Sequence, residues 1–149
     1  MTDTTTPPNP EQRLRTDAEL HEFLGSMLED AARRQFWTFY LGPDSRVCGP
    51  VMPMSDHPER PDELAETEDL GTVTFAEVMA DRVSWIADAV GAGSVVFVWE
   101  RPGSERFGAY ELDFARALAH ECGASGVRVR AQFLLHDTGV RQITPDDYA

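Results

Sequence analysis

Hydrophobic positions along this chain change their period several times, and each change marks an element. Leu20, Phe23, Leu24, Met27, Leu28 and Ala31 recur at helical spacing, which predicts a helix from a Thr16 or Asp17 cap to about Arg34. Acidic residues in its first turn and Arg33-Arg34 in its last suit the helix dipole. The run Phe36-Trp37-Thr38-Phe39-Tyr40-Leu41 is β-branched and aromatic and predicts a strand. Gly42-Pro43-Asp44-Ser45 reads as a turn and residues 46–52 as the return strand, with Pro50 marking a bulge or an edge.

Periodicity then stops. Residues 53–70 carry three prolines and many acidic side chains, and are expected to form one long acidic loop. Thr74 with Glu77 predicts a capping box that opens a helix. Its apolar stripe is Phe75, Val78, Met79, Val83, Ile86, Ala89 and Val90, and Gly91 and Gly93 end it. Residues 95–99 are apolar without alternation, as in a central strand covered on both faces. Leu112, Ala115, Leu118, Ala119 and Cys122 predict a helix over about 109–122. Val127, Val129, Ala131, Phe133 and Leu135 alternate with Arg128, Arg130 and Gln132, which predicts a half-solvated strand. His136-Asp137-Thr138-Gly139 is a turn signal, and residues 140–143 complete a hairpin.

This order predicts an α/β fold, with α+β as the alternative. It is a single domain over residues 16–149, a mixed sheet of about five strands flanked by about three helices in two or three layers. Residues 1–15, polar and rich in Thr and Pro, are expected to be a disordered tail.

Charge narrows the function classes. The chain carries a formal net charge of −13 with a pI of about 4.5. Nucleic-acid binding rests on cationic side chains meeting phosphates, and anionic membranes repel such a chain, so neither partner is expected. All the basic residues are Arg. The bland reading is codon usage in a high-GC, actinobacterial-type bacterial genome; the sharper one is avoidance of lysine-directed modification. Either way Schiff-base and Walker-lysine chemistry have no residue to act through. Cys48 and Cys122 form no CxxC pair. No secretory signal and no membrane span are evident, and a cytoplasmic protein is expected.

The best-placed polar groups follow the central strand. Glu100 and Arg101 at its end, with Tyr110 and Asp113 on the next helix, are positioned to line a pocket. A carboxylate there would serve as a base if burial raised its pKa; a surface ion pair is the plainer alternative. Arg128 and Arg130 with Gln132 form a small stripe suited to an anion, or simply a solvated face. Asp56, His57, Glu59, Glu63, Glu66, Glu68 and Asp69 read as a solvated linker rather than a cation site. His21, His120 and His136 form no zinc-ligand pair and read as surface residues. No G-x-S-x-G turn and no glycine-rich phosphate loop occurs.

Residues 34–41, a turn, and Arg46-Val47 resemble the opening hairpin of the JAB/MPN metalloprotease-like domain of RadC-type proteins. In that family an apolar strand leads into His-x-His-Pro, and Ser-x-x-Asp follows at a helix start. Here the strand is residues 95–98. Trp99 and Arg101 occupy the two histidine positions, Pro102 is retained, and Tyr110-Glu111-Leu112-Asp113 falls near Ser-x-x-Asp with one extra residue. The resemblance covers about residues 34–143 and implies a degenerate relative without the imidazoles that zinc catalysis needs. The family's upstream glutamate has no match near residues 47–54, and Asp113 is the one ligand position that carries over.

These readings converge on a non-catalytic cytoplasmic interaction or regulatory module with a protein partner and no cofactor. Its expected contact rim is Trp99, Arg101, Arg106, Phe107 and Tyr110, residue types that anchor interfaces. The competing reading is a metal-independent enzyme using Glu100 and Asp113.

Overall fold

A computed structural model describes residues 12–149. The expected tail over residues 1–11 lies outside the described residues. Its last part is not a tail: Leu14 is buried in the core, and its amide donates to the Ser45 carbonyl at 2.7 Å. A leucine three residues ahead of an amphipathic helix gains enough burial to hold the chain down.

The chain forms a mixed α/β fold. Helix α1 (Asp17–Met27) leads into strand β1 (Gln35–Leu41), short strand β2 (Met52–Met54) and a small hairpin, β3 (Leu64–Thr67) with β4 (Gly71–Thr74). Then come α2 (Phe75–Val90), β5 (Ser94–Glu100), α3 (Ala109–Ala124), β6 (Val129–His136), β7 (Gly139–Ile143) and the single-turn α4 (Pro145–Tyr148). The five-stranded sheet has the order β2-β1-β5-β6-β7. β5 and β6 run parallel and the other pairs antiparallel, because α3 is the long crossover that a parallel pair requires.

Three layers result. Phe36, Tyr40, Val95, Phe97, Trp99 and Leu134 face α2 and α3, and Phe39, Leu41, Val96, Val98, Phe133 and Leu135 face α1. β5 is therefore covered on both sides, as its unbroken apolar run predicts.

α1 ends at Met27, about two turns short of the expected Arg34. The amides beyond it find tertiary acceptors in place of helical ones. Ala31 donates to the His136 carbonyl, and Ala32 and Arg33 donate to the Glu100 carboxylate. The expected return strand over 46–52 is reduced to a single bridge, Leu41 with Val47, and pairing resumes only at β2. Gly49 interrupts it with a φ of +70°, and a Cβ there would lie 2.9 Å from Val90 Cγ1. The stretch 53–70 is not one loop, since it holds the last two residues of β2 and all of β3. Thr67 fastens the β3–β4 turn by donating to the Gly71 carbonyl and accepting from the Leu70 amide.

The alternation expected over 127–135 is broken by a bulge. Val95 pairs with Val129 but Val96 with Ala131, which leaves Arg130 as the extra residue. The parity flips there. Val127 and Val129 pack toward α3, while Ala131, Phe133 and Leu135 pack toward α1. Gln132, expected in solvent, is buried. The capping box Thr74–Glu77 and the left-handed Gly91 cap bound α2 as expected.

Candidate functional site

The end of β5 splits its residues between two layers. Trp99 points into the α2–α3 side and is fully buried among Phe36, Phe97, Tyr110 and Phe114. Its indole N–H donates to Gln132 Oε1 at 2.8 Å, and Gln132 Nε2 donates to the Ala115 carbonyl at 2.9 Å. Trp99 is thus core and not part of a contact rim.

Glu100 points to the α1 side and is 3% exposed. Its Oε2 accepts from the Ala32 amide at 2.7 Å and the Arg33 amide at 3.3 Å. Its Oε1 accepts from Gln35 Nε2 and Trp37 Nε1, both at 2.9 Å. Burial, the largest single influence, pushes its pKa up, but the four hydrogen bonds together outweigh it and hold the carboxyl below its ordinary value. This corrects the expectation of a base raised by burial. Glu100 anchors the chain entering β1.

Arg101 does not pair with Glu100. It turns to Glu111, which is wholly buried in the first turn of α3, with Nη2 to Oε2 at 2.7 Å and Nε to Oε1 at 3.3 Å. The same guanidinium donates to the carbonyls of Ser104 (2.6 Å) and Arg106 (2.7 Å), and Glu111 accepts the Gly108 amide at 2.7 Å. One buried ion pair therefore closes the whole 101–108 loop. Gly103 bonds Asp137 in both directions, and Arg141 donates to the Glu105 carbonyl and stacks 4.0 Å over Phe107. The expected rim is a pinned structural loop, in which Arg106 is exposed and Phe107 half-buried.

Asp113 is exposed on α3 and pairs with Arg116 at 3.2 Å. It lies in the α2–α3 layer, across the sheet from Glu100, so the two expected carboxylates do not converge. Arg130 is half-buried against α1, donating to Asp17 at 2.7 Å and to the Arg15 carbonyl at 3.0 Å. Its charge is already met, and exposed Arg128 stands alone as an anion candidate.

The sequence reading missed His57. Expected in a solvated linker, it is 4% exposed, ringed by Phe36, Phe75, Tyr110 and Phe114. Arg34 Nη1 donates to its Nε2 at 2.7 Å, and Tyr110 Oη lies 2.8 Å from the same nitrogen. A guanidinium only donates, so Nε2 accepts and the proton sits on buried Nδ1, which makes no hydrogen bond of good geometry. Burial first, and then the Arg34 charge, bring the His57 pKa down to about 4; the Met54 backbone opposes them weakly. Arg34 also donates to the His57 and Pro58 carbonyls, so the pair clamps residues 57–58 to the core. A lone His between Asp56 and Pro58 carries no sequence signal for this. His136, expected at the surface, is also buried, while His21 and His120 are exposed.

Large apolar side chains remain outside. Trp85 on α2 is 74% exposed and Leu64 on β3 is 68% exposed, with Leu70 in the adjoining turn also exposed. Trp85 borders an open hollow of about 410 Å3 lined by Asp69, Asp81, Arg82, Ser84 and Asp88. Among the described residues no group of three or more His, Cys, Asp or Glu is placed to hold a metal ion, and no helix is long and apolar enough to cross a membrane. No protein-family model and no curated protein sequence matches the chain.

Proposed function

We propose that this protein is a non-catalytic interaction module and that its contact surface is the Trp85 face of α2 with the neighbouring β3–β4 hairpin. The exposure of Trp85 carries this reading. An indole left 74% exposed, among the described residues, on a helix whose other face is core is a large uncovered apolar surface, and Trp is the residue most enriched at binding hot spots. The polar groups at the β5 end support it from the other side. Glu100, Arg101 and Glu111 spend their hydrogen-bonding capacity on the fold.

The kinship with RadC-type JAB/MPN domains belongs to the same proposal, as a metal-free relative. Trp99, at one histidine position, is core, and Arg101, at the other, is bound to Glu111. A cytoplasmic setting is part of the reading too, supported by two unpaired cysteines, of which Cys122 is buried.

Affinity capture from the native host tests the surface, comparing wild type with Trp85→Ala. A stoichiometric partner lost in the variant, with an unchanged urea midpoint, supports the proposal. A partner held equally by both proteins, or no partner at all, overturns it.

A further inference from the structure

Charge complementarity says what kind of partner the Trp85 face fits. On the helix surface, residues three and four apart are neighbours, so Asp81 and Asp88 flank Trp85 on either side. Asp69, from the β3–β4 turn, closes the third side. Three carboxylates face one guanidinium. Arg82 Nη1 donates to Asp81 at 2.6 Å and to Asp69 at 2.9 Å, with Nη2 to Asp69 at 3.0 Å. The Asp88 carboxylate has no ion pair or hydrogen bond among the described residues; its backbone carbonyl accepts the Gly91 amide. The hollow is therefore anionic, and its one large apolar wall is an aromatic face.

Resting on the reading that this face is the contact surface, we propose that its partner is a cationic peptide segment. An Arg or Lys side chain of that segment would lie over the Trp85 indole, with Asp88 and Asp81 beside its charge. An indole face attracts a cation through its quadrupole, and flanking carboxylates add to the same potential. The exposed Leu64 and Leu70 lie on the neighbouring hairpin and suit the aliphatic stems of such side chains. A second copy of this chain is the disfavoured occupant, because each copy brings a net charge of −13. Phosphate-bearing partners meet the same repulsion.

The test is a titration of the 15N-labelled full chain at about 0.1 M salt, where distant charges are screened. Octa-arginine is the probe, and a Ser/Gln peptide of equal length is the control. The chain has three indole N–H signals, and Trp85→Leu identifies that of Trp85. Octa-arginine should move the Trp85 signal saturably and leave those of Trp37 and Trp99 still. Trp85→Leu, which keeps an apolar side chain but removes the ring, should weaken binding by about fivefold. Asp81→Asn with Asp88→Asn should weaken it as much. A stationary Trp85 signal, equal response to the neutral peptide, or undiminished binding to Trp85→Leu overturns the proposal. A Trp85-dependent partner captured from the host that contacts this face without a basic segment overturns the cationic assignment alone. Absence of any Trp85-dependent partner removes the underlying surface.

Discussion

The Trp99 indole N–H donates to the Gln132 side-chain oxygen at 2.8 Å between two neighbouring parallel strands, with both residues buried. Gln132 passes the bond on to the Ala115 carbonyl in α3, so one amide satisfies polar groups of β5 and α3 at once. Gln132→Leu would strand the buried Trp99 donor and remove the second bond of the Ala115 carbonyl, which keeps its helical one. We expect it to lower unfolding free energy by about 1–3 kcal/mol, read from urea denaturation. A change within error would mean that water reaches the Trp99 nitrogen.

The Arg101–Glu111 pair should behave as a buried charge pair and the Asp113–Arg116 pair as a surface one. Glu111→Ala leaves an Arg101 guanidinium under cover and frees the Gly108 amide, and it should cost about 3–5 kcal/mol. Asp113→Ala, two residues away on the same helix, should change stability by less than about 1 kcal/mol. Equal losses from the two substitutions would contradict this division.

His57 should make the fold sensitive to mild acid. Its pKa is about 4 when folded against 6.5 ordinarily, so below pH 6.5 the unfolded chain binds the proton more tightly. Stability from this group is complete above pH 6.5 and is lost as the pH falls toward 4. Between pH 7 and pH 5 the loss should be about 2 kcal/mol. His57→Phe keeps the aromatic packing and cannot titrate, so urea midpoints of the variant should change less over the same interval. Parallel pH profiles for the two proteins would refute the assignment.

Glu100 acts in a lower pH window. Its carboxyl is held below the ordinary 4.5, so its contribution is present above that value and is lost as pH falls through the folded value. Glu100→Gln should cost about 1–3 kcal/mol at pH 7. It should also flatten the acid limb of stability below about pH 4.5. Thermal melts at pH 7 and pH 3.5 separate the two effects. A variant as stable as wild type at pH 7 would show that the amides of residues 32 and 33 find other acceptors.

Local chemistry was enough to read several elements. The Thr74–Glu77 box and Gly91 bound α2 because a cap satisfies backbone groups within one turn, independently of the rest of the molecule. Residues 95–99 announced a doubly covered strand because burial on both faces removes the need for polar alternation. The mixed sheet followed from the order of such elements.

The site-level expectations needed partners distant in sequence. Glu100 is an anchor and not a base, because the amides of residues 32 and 33 reach it across 68 and 67 positions of chain. Arg101 pairs with Glu111 and not with its neighbour, because the Glu100 carboxylate turns to the α1 side and is taken up there by four other donors. His57 became a core residue only when Arg34, Tyr110 and three phenylalanines closed around it. The bulge at Arg130 reversed which residues of β6 face which layer. The sequence by itself determined the α/β class, the caps of α2 and the acidic charge. Tertiary structure decided which polar groups were consumed inside and which large apolar side chains, Trp85 foremost, were left outside. Hydrogen bonding and burial of side chains depend on what the fold brings near, and spacing along the chain does not carry that information.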